Sequence, residues 1–163
     1  MYTQSMYNHA PSDYVCPICL TVQGIENDQT MARQADIVYR DEYVIALINS
    51  KFIKSNPGHV IVVPINHFEN IYELPVEYAH RVIEVSQKIA LALKSLRHCD
   101  GVWIEQNNEP ASGQHAFHYH MHVVPRFEND HLKKQLAEGN IYVADPADRI
   151  PYAEAMKLYL GSH

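Results

Sequence analysis

The chain has 163 residues, 47% hydrophobic and 20% charged, with a formal net charge of −6 when histidines are neutral. That is enough apolar sequence for one core without disulfide staples. No lysine/arginine run offers a nucleic-acid or membrane patch, so no nucleic acid and no membrane is expected among the partners.

Residues 1–14 are polar, contain Pro11 and Asp13, and read as a flexible lead-in. They lack the basic start and apolar stretch of a secretion signal, and no segment approaches the roughly 20 apolar residues of a membrane span. A cytoplasmic location is the expectation. Cys16-Pro17-Ile18-Cys19 then looks like a tight metal-binding turn, and residues 20–35 read as loop. Segments 36–40 and 43–48 read as two strands of a hairpin turning at Asp41-Glu42. Residues 49–56 are a polar loop, Pro57-Gly58 a turn, and the β-branched run 59–63 a buried strand ended by Pro64. Segment 74–98 is the clearest helix. Val82, Ile83, Ile89, Ala90, Leu93 and Leu96 fall on one stripe, and Cys99-Asp100-Gly101 is its stop. A strand over 102–106, a turn-rich loop over 107–113 and a strand over 117–124 follow. Segments 130–139 and 151–160 read as short helices. The sum is an α+β domain: about five antiparallel strands, one long helix and a short helix, with a C-terminal helical tail. The divisions are a lead-in to residue 14, a domain over 15–126 and an extension over 127–163.

Eleven histidines are many for this length, and they crowd late in the chain. His118-Tyr119-His120-Met121-His122 is the central feature. On a strand, alternate side chains share a face, so the three histidines point one way while Phe117, Tyr119, Met121 and Val123 point into a core. Neighbouring imidazoles disfavour one another's protonation, and neutral imidazole is the form that binds metals or attacks electrophiles. The same three rings could instead hold one catalytic metal.

Cys16 and Cys19 have the C-x2-C spacing of a zinc knuckle, which redox motifs share. The stretch after Cys19 is a poor helix, which disfavours the redox reading. Two more ligands must come from elsewhere, and His67 and His118 are candidates.

Taken together, these motifs resemble the histidine-triad (HIT) superfamily. The pattern stands here as His118-Tyr-His120-Met-His122-Val-Val-Pro125-Arg126. Upstream, 56–64 (NPGHVIVVP) resembles the family's strand, Asn66-His67-Phe68 the segment after it, and 106–108 with 113–114 the phosphate loop. The resemblance runs from about Cys16 to Arg126. It implies a nucleotide hydrolase, working on a purine nucleotide derivative at the α-phosphorus through a covalent nucleotidyl-histidine. His120 resembles the nucleophile, and His122 the triad member that contacts phosphate. Asn107 and Gln114 resemble phosphate-holding residues, and Asn49 lies where a ribose contact is common. His115 stands where Ser or Thr is usual near the leaving group. By the same resemblance, Cys16, Cys19, His67 and His118 bind a structural zinc, no organic cofactor is needed, and a homodimer is expected. The substrate is a nucleoside phosphoramidate or a dinucleoside polyphosphate. A nucleotidyl transferase or a non-catalytic nucleotide-binding protein on the same fold are the alternatives.

Overall fold

A computed structural model describes residues 6–162. Strands β1 (Ile37–Arg40), β2 (Val44–Ile48), β4 (Val60–Pro64), β5 (Gly101–Glu105) and β6 (Met121–Arg126) form one antiparallel sheet in the order β1-β2-β4-β6-β5. β3 (Lys51–Ile53) and β7 (Ile141–Val143) form a separate ribbon. The helices are α1 (Pro17–Val22), α2 (Val76–Arg97), α3 (Leu132–Ala137) and α4 (Pro146–Ser162).

The period-2 alternation divides the sheet cleanly. Val44, Ala46, Ile48, Val60, Val62, Met121 and Val123 face α2, whose Val82, Val85, Ile89, Ala92 and Leu93 complete the main core. Ile45, Leu47, Ile61 and Val63 point to the opposite face, where Ile18, Val22 and Ala32 cover them. β2 and β4 are buried on every residue because both faces are covered.

Several expectations need correction. Ile83, assigned to the buried stripe of the long helix, is 56% exposed, and Val85 and Ser86 are buried instead. The helix stops at His98, which takes the left-handed conformation (φ 48°), so Gly101 is free to begin β5. Lys94 at the helix end donates to the carbonyls of Cys99 at 2.5 Å and Asp100 at 3.3 Å, satisfying the turn that leaves it. Residues 51–53 are strand rather than loop because the chain after 140 supplies their partner. Pro151 lies inside α4 rather than at its start.

The segment after Arg126 is built into the body. Asp130 accepts from Arg126, Phe127, Leu132 and Asn56 at 2.7–3.0 Å, and these donors hold its carboxyl far below the usual range. Ala144, Ala153 and Met156 join the main core. At the other end, residues 7–10 carry no helix or strand. Asn70 donates to the Tyr7 carbonyl at 3.3 Å, and the backbone amides of His9 and Ala10 donate to Glu69 at 2.5 and 3.3 Å. Residues 1–5 of the lead-in lie outside the described residues. Among the described residues, no helix is long and apolar enough to cross a membrane.

Candidate functional site

β6 carries one end of the site. Its register sets His122 opposite Ile61 on one side and Glu105 on the other, on the sheet face away from α2. The strand begins only at Met121, later than the sequence suggests, so His118, at a bend, and His120 lie in the segment that leads into it. The alternation still holds for Tyr119, which is 2% exposed in the main core. It fails for Phe117, which packs edge-to-face on Tyr14 at 5.5 Å instead of entering that core.

The three histidines have different surroundings. His118 is fully buried, and its Nε2–H donates to the Pro64 carbonyl at 3.0 Å, which leaves Nδ1 with a lone pair. That Nδ1 lies 3.4 Å from Cys16 Sγ and 3.5 Å from Cys19 Sγ, while His67 Nδ1 lies 3.3 Å from Cys19 Sγ. All four donor atoms fall within 4.8 Å of one another. A tetrahedron with Zn–S near 2.3 Å and Zn–N near 2.0 Å has edges of roughly 3.3–3.8 Å; the separations of 3.3–3.5 Å match these edges, and any as wide as 4.8 Å would have to close by about 1 Å around such an ion. The backbone carbonyl on the far nitrogen of His118 is the usual orienting partner of a metal-binding imidazole. The short α1 explains how the cysteines meet. Cys16 caps it, its sulfur accepting the Cys19 amide at 3.4 Å, and Pro17 occupies the first turn, where no amide is required. The Cys19 thiol beside it draws the Cys16 thiol down to about 2, with burial opposing and His118 assisting; Cys19 moves the other way.

His120 is oriented by its neighbour. Its Nδ1–H donates to the His118 carbonyl at 2.7 Å, so Nε2 carries the lone pair. Burial lowers its pKa. Burial, with His120 and His59 nearby, holds His122 well below the usual histidine range. The rings of His120 and His122 lie edge-to-face with centroids 5.0 Å apart. Both residues line a cavity of about 380 Å³ with Asn49, Asn107 and His115. Five of the residues singled out from sequence therefore meet in one place. Gln114 does not. It is 3% exposed, its amide donates to the carbonyls of Glu69 and Ala116 at 2.6 and 3.2 Å, and its oxygen accepts the Glu109 amide at 2.7 Å. Its side chain ties the loop to Glu69 and does not line the cavity. That loop holds strain, because Glu109 has φ 66° and ψ 154°, a region that favours glycine. Its carboxylate accepts from Tyr72 at 3.0 Å and lies 2.9 Å from His9 Nε2, pinning the loop from outside.

Sequence reasoning missed the rest of the lining. Ile18 and Thr21 of α1, Met31, Ala32, Ile45, Leu47 and Ile61 form a largely apolar end, and Ser50 and Lys51 form a polar lip. The apolar strand positions are predictable as buried, but nothing in residues 29–32 marks them as cavity wall. Tyr14 also lines the cavity; its hydroxyl accepts the Phe117 amide at 3.1 Å, and burial pushes its pKa up to about 12.

The HIT domain family model matches residues 31–129. The protein called hit of Bacillus subtilis is 38% identical over 109 residues, covering 67% of this chain and 71% of that protein. Among solved structures, a zinc-bound histidine triad family protein from Mycobacterium smegmatis is similar with a TM-score of 0.72 at 28% identity, covering 90% of this chain and 94% of the other. Diadenosine triphosphate hydrolase of Plasmodium falciparum shares the fold, with a TM-score of 0.70 at 17% identity and coverage of 96% and 89%. The family match begins after both knuckle cysteines.

Proposed function

This chain belongs to the HIT-domain family, and we propose that it hydrolyses nucleoside phosphoramidates or dinucleoside polyphosphates at the α-phosphorus, releasing a nucleoside monophosphate. The observation that carries the reading is the 2.7 Å bond from His120 Nδ1–H to the His118 carbonyl. It fixes the tautomer, leaving Nε2 as an unprotonated nucleophile in a residue that lines the cavity. A structural neighbour that is itself named a diadenosine triphosphate hydrolase is consistent with this chemistry on this fold.

In the first step the Nε2 lone pair forms a bond to phosphorus while the bond to the leaving group breaks. The leaving group takes its electron pair and picks up a proton at the open mouth, where exposed His115 stands. Water then attacks the nucleotidyl-histidine, forming the new P–O bond, returning the electron pair to Nε2 and giving up a proton. Asn107 and His122 supply neutral donors for the non-bridging oxygens, where charge builds in both transition states. His122 is suited to this because its depressed pKa keeps it an uncharged N–H donor near neutrality. Asn49 and the apolar end hold the purine nucleoside.

Cys16, Cys19, His67 and His118 hold a zinc ion in this reading. Four protein ligands leave no open position, so the metal stabilises the run that bears His120 and takes no part in a chemical step. The protein works as a homodimer, with edge strand β5 and the outward residues Ile83 and Leu91 of α2 as its contact surface.

The test is AMP release from an adenosine phosphoramidate and a diadenosine polyphosphate, comparing wild type with His120→Ala. The variant should lose roughly 10³-fold or more in kcat while keeping its fold and metal content. Near-native turnover by His120→Ala would remove the nucleophile assignment. Sedimentation at micromolar concentration checks the dimer, and a monomer there rejects it.

A further inference from the structure

The proposed reaction uses the triad run and its flanking loops, and leaves the C-terminal segment without a role. Yet that segment touches both lips of the cavity. Ser50 and Lys51 form one lip, Met31 and Ala32 the other. β7 pairs Val143 with Lys51, and the Ala144 amide donates to the Ser50 carbonyl at 2.9 Å. The Ala144 carbonyl in turn accepts from Arg149 Nη1 at 3.1 Å. The same guanidinium crosses to the other lip. Its Nη2 donates to the Met31 carbonyl at 3.1 Å, and its Nε to Asp36 Oδ1 at 3.0 Å. Asp36 also accepts the Arg33 amide at 2.7 Å, which holds the chain just after Met31 and Ala32. A continuous chain of hydrogen bonds therefore runs from Ser50 through Ala144 and Arg149 to Met31.

Stability alone is a poor reason for this arrangement. Arg149 is 0% exposed and Asp36 is 1% exposed, and a buried ion pair repays little more than its own desolvation, so an apolar pair of similar volume would pack as well. What a guanidinium does, and an alkyl chain cannot, is bond several acceptors at fixed angles. Its acceptors here are two backbone carbonyls from separate parts of the chain and one carboxylate beside the wall. The Lys157 Nζ bond to the Ala35 carbonyl, 2.8 Å, ties α4 to the same wall a second time.

We propose that Arg149 is a specificity-determining positioning residue. Through residues 144–149 it fixes the distance between the Met31–Ala32 lip and the Ser50–Lys51 lip, and so sets which nucleoside end the cavity accepts. The Met31–Ala32 lip is apolar and suits the face of a flat base. The opposite lip adjoins Asn49 and suits a ribose. An apolar wall held in one position gives the larger face of a purine more contact than that of a pyrimidine, and so favours the purine. This rests on the nucleotide reading above.

Two variants test it. Arg149→Met combined with Asp36→Asn removes both charges together, avoiding a buried unpaired ion. Arg149→Lys keeps the charge beside Asp36 but cannot bond all three acceptors. KM and kcat are measured on adenosine and cytidine phosphoramidates, with AMP affinity by calorimetry. In the double variant, KM for the adenosine substrate should rise at least fivefold with kcat within twofold. The adenosine-over-cytidine ratio of kcat/KM should fall at least threefold, AMP affinity should weaken in parallel, and Arg149→Lys should lie between. A general loss of fold would lower kcat and melting temperature without changing that ratio. Should the double variant not fold, Arg149→Lys alone decides. A folded variant whose KM and base preference stay within twofold of wild type overturns the brace while leaving the nucleotide reading intact. A wild-type protein that neither binds AMP nor cleaves either substrate overturns that reading and the brace with it.

Discussion

Acid should destabilise this protein through His59. His59 precedes β4 and is 3% exposed. Its Nε2 lies 2.6 Å from Asn49 Nδ2, its Nδ1 has no hydrogen-bond partner among the described residues, and its ring sits 5.5 Å from that of His122. Burial lowers its pKa from 6.5 to about 4. For a base with a depressed folded pKa, the unfolded chain takes up a proton first as pH falls. Stability is therefore intact above the unfolded value and is lost progressively as pH drops from 6.5 toward 4. Between pH 7 and pH 5 these two values give a loss of about 2 kcal/mol, equivalent to roughly 4–8 °C in Tm for a chain of this size. His120 and His122 shift in the same direction and His67 in the opposite one, so the quantity to read is a difference. Urea unfolding of wild type and His59→Leu at both pH values isolates it. Wild type should lose about 2 kcal/mol more than the variant over that interval. Equal losses in the two proteins would refute the reasoning, as would an NMR titration of the His59 ring with a midpoint near 6.5.

The other predictions concern metal and backbone. At the proposed zinc site, Cys16→Ser should cost metal content and several degrees of Tm, with a smaller fall in kcat; a variant that is metal-free by elemental analysis yet melts with wild type would dispose of the structural site. Gly58→Ala should destabilise strongly, because Gly58 has φ 78° and an added Cβ would lie 2.5 Å from the Tyr152 ring. The left-handed conformation alone costs about 1–2 kcal/mol for a residue with a side chain, so denaturation showing less than 1 kcal/mol would mean this turn yields easily.

The sheet was legible because each strand obeys a short-range rule. The run 59–63 is β-branched, hairpin 36–48 turns at Asp41, and Tyr119, Met121 and Val123 alternate into the core. The limits of the elements were less legible, for physical reasons. His98 ends the long helix in a conformation usually left to glycine, and the turn is satisfied by Lys94, whose contact cannot be read from its position in the chain. Ile83 is as apolar as Ile89, and only the direction of the neighbouring sheet decides which is buried. β3 is only three residues long and exists because β7 pairs with it from about ninety residues away. In the site, residues whose chemistry is intrinsic, such as His120, His122 and Asn107, were visible from their types. Those that act through shape, such as Met31 and Ala32, were not. Gln114 has the residue type of a phosphate ligand, while its side-chain hydrogen bonds go to Glu69, Glu109 and Ala116, which its place in the chain does not reveal.

The spacing of the triad has a consequence that alternation alone does not give. His118 engages three groups at once. Its Nδ1 faces the cysteines, its Nε2–H holds the Pro64 carbonyl at the end of β4, and its own carbonyl accepts Nδ1–H of His120. The first bond places the residue relative to the knuckle and the second relative to the central strand. With both ends of the ring fixed, the peptide that follows has little freedom, and its carbonyl is held at 2.7 Å from His120. That carbonyl decides which nitrogen of His120 carries the proton and which can attack. The two-residue step from His118 to His120 therefore makes the orientation of the proposed attacking nitrogen depend on the four-residue cluster around Cys16, without any cluster atom entering the proposed reaction. Loss of the knuckle should accordingly act on His120 as a loss of order, lowering kcat through a mixture of tautomers and ring orientations while leaving the cavity's affinity for a nucleotide largely unchanged.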